Sequence, residues 1–177
     1  MPDHPNPPAA EARHPFEAGL DRRGANYIPL TPASLLQRAA ASFGARIAVI
    51  DGDRRLTYTD LYARCRRLAS ALGRRGIQRL DTVAILASNI PEMVEAHFAI
   101  PMLGAVLNPL NTRLDAATIA FSLRHGGAKV LIVEASHGPL AARAVAEMTE
   151  PPLIVEIGDS GVAGAVPYET IDRKSVV

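Results

Sequence analysis

The apolar positions change period along the chain, and each change marks the edge of an element. Thr31 is placed to cap a helix with Pro32 at its first position, and the predicted helix runs through Phe43 and stops at Gly44. Ile47 to Ile50 reads as a strand, Asp51-Gly52 as a hairpin turn, and Arg54 to Thr57 as the returning strand. Thr59 is then expected to cap a long helix. Leu61, Cys65, Leu68, Ala69 and Leu72 share one of its faces, and Gly76 closes it. Thr82 to Ala87 is an apolar strand. Pro91 to Leu103 is apolar nearly all round, which predicts a helix buried on most sides with an irregular last turn at Pro101.

The alternation continues to the end of the pattern. Ala105 to Asn108 is a short strand, and Asp115 caps a helix that runs to Arg124 and stops at Gly126-Gly127. Lys129 to Val133 is a strand, His137 to Met148 a helix, and Leu153 to Ile157 a strand. Strands and helices alternating in this way give an α/β fold: a mostly parallel sheet with helices packed on its faces. Residues 1–30 differ. They hold six prolines and no apolar period, and are expected to form a flexible arm with Asn26 to Leu30 as its docking end.

Composition narrows the function classes. Apolar residues make up 48% of the 177 residues and charged residues 21%, the balance of a globular domain. The formal charge of +1 argues against a nucleic-acid partner, which calls for a clustered positive excess. One cysteine, Cys65, excludes an internal disulfide and a thiolate-rich zinc site. The start of the chain lacks the basic-then-apolar order of a secretory signal. Its longest apolar stretch, Ala96 to Leu107, is too short for a membrane span and carries Pro101 and Gly104. The expected compartment is therefore the cytoplasm.

No stretch completes a catalytic constellation by itself. His4, His14, His97, His125 and His137 have no ligand spacing, and His97 is expected to be a hydrogen-bonded core or pocket-wall residue. Cys65 belongs to the buried face of its helix and is expected to be structural. Arg64, Arg66, Arg67, Arg74, Arg75 and Arg79 read as a solvated helix face, with an anionic partner as the sharper alternative. Gly158 to Gly164 repeats glycine without a following phosphate-holding Lys or Ser/Thr, so a flexible surface loop is expected.

Three stretches, taken in order and spacing, change this picture. Leu56-Thr-Tyr-Thr-Asp-Leu61 opens the long helix. Val83-Ala-Ile-Leu-Ala-Ser-Asn-Ile-Pro-Glu92 joins a strand to the apolar helix. Met102-Leu-Gly-Ala-Val-Leu-Asn-Pro-Leu-Asn-Thr-Arg-Leu114 closes that helix and crosses a strand. Together they resemble the first two core motifs of the acyl-adenylate-forming enzymes, over about Asn26 to Ile171. Asn108-Pro-Leu-Asn-Thr-Arg-Leu114 looks closest to the fatty-acyl-CoA synthetase branch.

The resemblance implies a two-step ligase. A carboxylate attacks the α-phosphate of Mg·ATP, releasing pyrophosphate, and the thiol of coenzyme A then displaces AMP from the acyl-adenylate. A carboxylic acid, ATP, Mg2+ and coenzyme A are thus the implied ligands of the parent enzyme, and a homodimer is compatible with it. The family draws its chemistry from a Ser/Thr/Gly-rich loop ending in Lys and from a lysine in a C-terminal domain. The only lysines here, Lys129 and Lys174, follow no such loop.

The chain is accordingly expected to be the incomplete first part, residues 31–171, of the family's large N-terminal domain, inactive by itself and binding no cofactor productively. Its catalytic, cofactor and metal residues are expected elsewhere in the parent, while Tyr58, Asn108, Asn111 and Arg113 match motif positions and are expected to be structural. Asp172-Arg-Lys-Ser-Val-Val177 can be encoded by one frame of a common sequencing adapter, so residues 172–177 are expected to be non-native. Two rivals stay open: a freestanding nucleotide-binding domain of flavodoxin-like type, and a non-catalytic interaction domain using the Arg-rich helix.

Overall fold

The computed structural model describes residues 30–171. Residues 1–29 of the expected 1–30 arm, and the 172–177 tail, lie outside them. Helix α1 (Pro32–Phe43) begins at a reciprocal cap in which Thr31 and Ser34 each accept the other's backbone N–H. Strands β1 (Ile47–Asp51) and β2 (Arg54–Thr57) form the expected antiparallel hairpin.

Helix α2 (Tyr58–Arg74) starts two residues earlier than the sequence suggested. Thr57, not Thr59, is the cap, because Thr57 and Asp60 form the reciprocal pair that Thr59 has no acidic partner to make. The far end closes as expected: Gly76 takes φ +87°, its N–H donates to Gly73, and the N–H of buried Ile77 reaches back to Leu72.

The main sheet contains β3 (Thr82–Leu86), β4 (Val106–Pro109), β5 (Ala128–Glu134), β6 (Leu153–Ile157) and β7 (Val166–Pro167), all parallel, in the order β4-β3-β5-β6-β7. Between them run α3 (Pro91–Met102), α4 (Ala116–His125) and α5 (Gly138–Ala146). Helix α3 continues one residue past the exposed Pro101. Asp115 caps α4 by accepting from the Thr118 N–H. Helix α5 begins one residue later than its apolar pattern, after a separate 3-10 turn at residues 135–137, and ends two residues earlier, at Ala146.

Alternate residues of the central strands feed two cores. Val83, Ile85, Val130, Ile132 and Val155 face α1, α2 and α3, while Ala84, Leu86, Leu131, Val133 and Ile154 face α4 and α5. The Gly158–Gly164 loop is anchored rather than loose. Ser160 is buried and bonded to Glu156, and a β-carbon at Gly138 would sit 1.9 Å from the Ser160 carbonyl oxygen. Glycine at the start of α5 is what lets that loop lie against it.

Candidate functional site

A doubly wound parallel sheet offers its ligand site at the carboxyl ends of the strands, where the chain reverses its direction of winding. Here β4 was added on one side of β3 and β5 on the other, so that point lies between β3 and β5. The order is the flavodoxin-like one, and the turn that matters is Ala87 to Ile90, after β3, rather than the hairpin turn at Asp51. The Ser88 N–H donates to Glu134 Oε2 at 2.7 Å, so an internal carboxylate occupies the amide that a phosphate oxygen would use. Burial pushes the Glu134 carboxyl up, but hydrogen bonds from Ser88 and Ser136 and the nearby His137 hold it below the ordinary glutamate value. A negative charge fixed at that position repels an anion.

Ser88 Oγ lies 3.5 Å from His137 Nε2, and Glu134 Oε2 lies 3.8 Å from the same nitrogen. In a hydrolase triad the acid must hold the opposite ring nitrogen, leaving Nε2 to take the serine proton. Three residues of suggestive type therefore make no relay.

The densest polar construction lies on the other face, inside the α1–α3 core. Glu95 is fully buried on α3, and Glu92 one turn before it is 3% exposed. Arg64 of α2 donates from Nε to Glu95 Oε1 at 2.5 Å and from a terminal nitrogen to Glu169 at 2.6 Å. Tyr168 donates its hydroxyl to Glu95 Oε2 at 2.8 Å, and Arg54 of β2 holds Glu92 at 2.7 Å.

Each shift in this cluster has a physical cause. Burial pushes the Glu95 carboxyl above its usual value, against the pull of Arg64 and Tyr168. Burial likewise raises the Tyr168 phenol, with the Glu95 charge adding to it. The bond from Arg64 lowers Glu169. Burial pushes the Cys65 thiol up to about 12, which makes it inert as a nucleophile at neutral pH. The Arg, Glu and Tyr side chains here engage one another, and Cys65 bonds the Glu95 backbone carbonyl, so the cluster ties separate elements together.

The sequence missed this cluster, although two signals pointed to it. Glu92 and Glu95 are charges on a helix otherwise apolar all round, and such charges must be paired. Arg64 lies beside the apolar stripe of α2 and is half-buried, not part of a solvated face; Arg66, Arg67, Arg74 and Arg79 are exposed as expected. Cys65 is buried as expected.

The remaining candidates are settled by position. His97 is exposed, with Nδ1 2.8 Å from the Met93 carbonyl oxygen of its own helix, and is not a core residue. Its position is one of the few on α3 that turns to solvent. Asn111 accepts from the Arg113 N–H at 2.9 Å and so fixes the turn after β4. Tyr58 packs partly buried against the α1–α3 core. Among the described residues, no group of three His, Cys, Asp or Glu is placed to hold a metal ion.

The family of AMP-binding enzymes matches residues 36–174. An acetate–CoA ligase of Humulus lupulus, CCL3, is 41% identical over 167 residues, which are 85% of this chain and 29% of that protein. A peroxisomal butyrate–CoA ligase of Arabidopsis thaliana, AAE11, is 51% identical over 116 residues, or 66% of this chain and 20% of that one. Among solved structures, an anthranilate–CoA ligase in complex with anthranoyl-AMP superposes with a TM-score of 0.75 at 26% identity, covering 80% of this chain and 27% of that one. The chain thus spans less than a third of the length of each of these relatives.

Proposed function

The chain belongs to the family of AMP-binding enzymes, and from that premise we propose that it is the opening scaffold of an AMP-forming acid–thiol ligase. The intact enzyme would join a carboxylic acid to the α-phosphate of ATP with loss of pyrophosphate, then pass the acyl group to coenzyme A with loss of AMP. The observation that carries this reading is the family match over residues 36–174 together with relatives named as CoA ligases at 41% and 51% identity. Mg2+ would serve the first step by offsetting charge on the phosphoryl oxygens. The residues described here supply shape to that enzyme and not its reacting groups.

For the acid we propose an aliphatic monocarboxylate, as the Asn108 to Leu114 stretch suggested. Acetate and butyrate in the names of two relatives support the short end of that range. The cytoplasm is the proposed compartment. One of the two relatives carries a peroxisomal assignment in its name, so fractionation of the host cell decides between them.

Carboxylate-dependent thioester formation by the uninterrupted gene product tests the reaction. With ATP, Mg2+ and coenzyme A, acetate, butyrate, a long-chain acid and anthranilate are offered in parallel. Thioester from an aliphatic acid is expected. Turnover of anthranilate alone would remove the aliphatic reading, and no thioester from any acid would remove the ligase reading.

The flavodoxin-like alternative shares the observed strand order. It is disfavoured by Glu134, whose carboxylate takes the Ser88 N–H in the turn after β3.

A further inference from the structure

We propose that residues 166–171 form a strap that docks and undocks as one unit against α2 and α3, with Glu95 as its catch. The strap is weakly held from the sheet side. Its strand β7 makes two register pairs with β6, and one of the two residues is Pro167, which has no N–H to give to a ladder. After β7 the chain turns through a single 3-10 turn, Tyr168–Thr170.

From the helix side the strap is held at three points. Tyr168 donates to Glu95 Oε2, Glu169 receives two bonds from Arg64 at 2.6 and 3.3 Å, and Arg75 Nε reaches the Ile171 carbonyl at 3.3 Å. Tyr168 and Ile171 are each 6% exposed and add apolar burial. The first two points share one pair of side chains. Arg64 spends Nε on Glu95 and its outer nitrogens on Glu169, while Glu95 spends one oxygen on Arg64 and the other on Tyr168. Removing Glu95 releases Tyr168 and lets Arg64 swing away from Glu169, so the two contacts fail together.

The lifted state is also chemically tolerable, which a fixed contact need not be. When the strap leaves, Tyr168 and Glu169 regain water, and Arg64 and Glu95 stay bonded to each other as a neutral pair. No charge is stranded in the core. A small crevice beside the strap reaches Arg67 and Leu68 of α2 as well as Tyr168, Glu169 and Ile171. Such a segment opens locally, below the cost of opening the sheet.

Native-state hydrogen exchange of the 177-residue chain tests this. In the wild type, the amides of residues 168–171 are expected to exchange through an opening at least about tenfold more populated than that of β3 and β5. Tyr168→Phe removes one hydroxyl from a bond to a charged group. It is expected to raise that opening by a further factor of about ten and to leave β3 and β5 within about twofold. Glu95→Gln is expected to act in the same direction. Exchange of 168–171 in step with β3 and β5 in the wild type overturns the proposal, as does an unchanged strap in Tyr168→Phe. Both decisive comparisons stand if Glu95→Gln does not fold.

Discussion

The two faces of the parallel sheet are built from neighbouring residues of the same strands, yet their cores differ in kind. The α4–α5 face is closed by Ile119, Leu123, Leu131, Val133, Ala141 and Ala144, and among the described residues its one buried polar residue, Ser160, is a bonded hydroxyl. The α1–α3 face has an equally apolar floor but also encloses Glu92 and Glu95. The first face is specified by volume alone. The second is specified by volume and by charge, and it is the side on which the hairpin and the 166–171 strap are tied down through Arg54 and Arg64. A buried charge pair is a poor source of stability but a demanding constraint on geometry. Charge is therefore found where separate elements must meet in one arrangement.

The largest effect should come from breaking that constraint. Glu95→Ala leaves Arg64 facing a cavity, and a loss of about 3–5 kcal/mol is expected in urea melts. The double variant Arg64→Met/Glu95→Leu should recover most of that loss. If the double variant is as unstable as the single, volume and not charge sets this face as well. On the opposite face, Leu123→Ala should cost about 3 kcal/mol through its cavity, with no change in how stability depends on pH.

Smaller still is the cap of α2, the helix that carries Arg64. Thr57→Ala should cost about 1 kcal/mol, whereas Thr59→Ala should be near neutral, because Thr57 and not Thr59 makes the reciprocal bonds. Equal losses at the two positions would return the cap to Thr59.

The smallest expected effect is a slope. Glu95 has its carboxyl raised in the fold, so the fold favours its protonated form. That contribution is present below the unfolded value near 4.5 and fades as pH rises through the folded value. Asp60, Asp115, Glu156 and Glu169 are lowered, Asp60 and Asp115 by their helix caps, Glu156 by Ser160 and Glu169 by Arg64. Their contributions are present above their unfolded values and are lost as pH falls through the folded ones. Relative to the wild type, Glu95→Gln should therefore gain stability as pH rises above 4.5. A constant offset between the two melting profiles from pH 4.5 upward would contradict the assignment of a raised carboxyl to Glu95.

Local rules carried far in this chain. Asp51-Gly52, Gly76 and the cap at Asp115 each declare their structure within a few residues, and the alternation of strands and helices gives a parallel sheet without further information. What was not legible depends on long sequence separation. Arg64 meets Glu169 across 105 positions and Tyr168 meets Glu95 across 73, so no window along the chain contains both partners. Glu134 closing the Ser88 amide is the same case at 46 positions. The misplaced cap of α2 is different in kind. Both Thr57 and Thr59 are cap residues by type, and only the acidic residue three positions on separates them.

The chain belongs to the family of AMP-binding enzymes, and the proposed function makes it the scaffold of a ligase whose reacting groups lie elsewhere. ATP–pyrophosphate exchange, measured side by side on the 177-residue chain and on the uninterrupted gene product, tests that division most directly. Exchange that depends on an added carboxylate is expected from the uninterrupted product and not from the chain alone. Carboxylate-dependent exchange by the purified 177-residue chain would contradict the assignment of its residues to scaffold, and absence of exchange in the uninterrupted product would contradict the ligase itself.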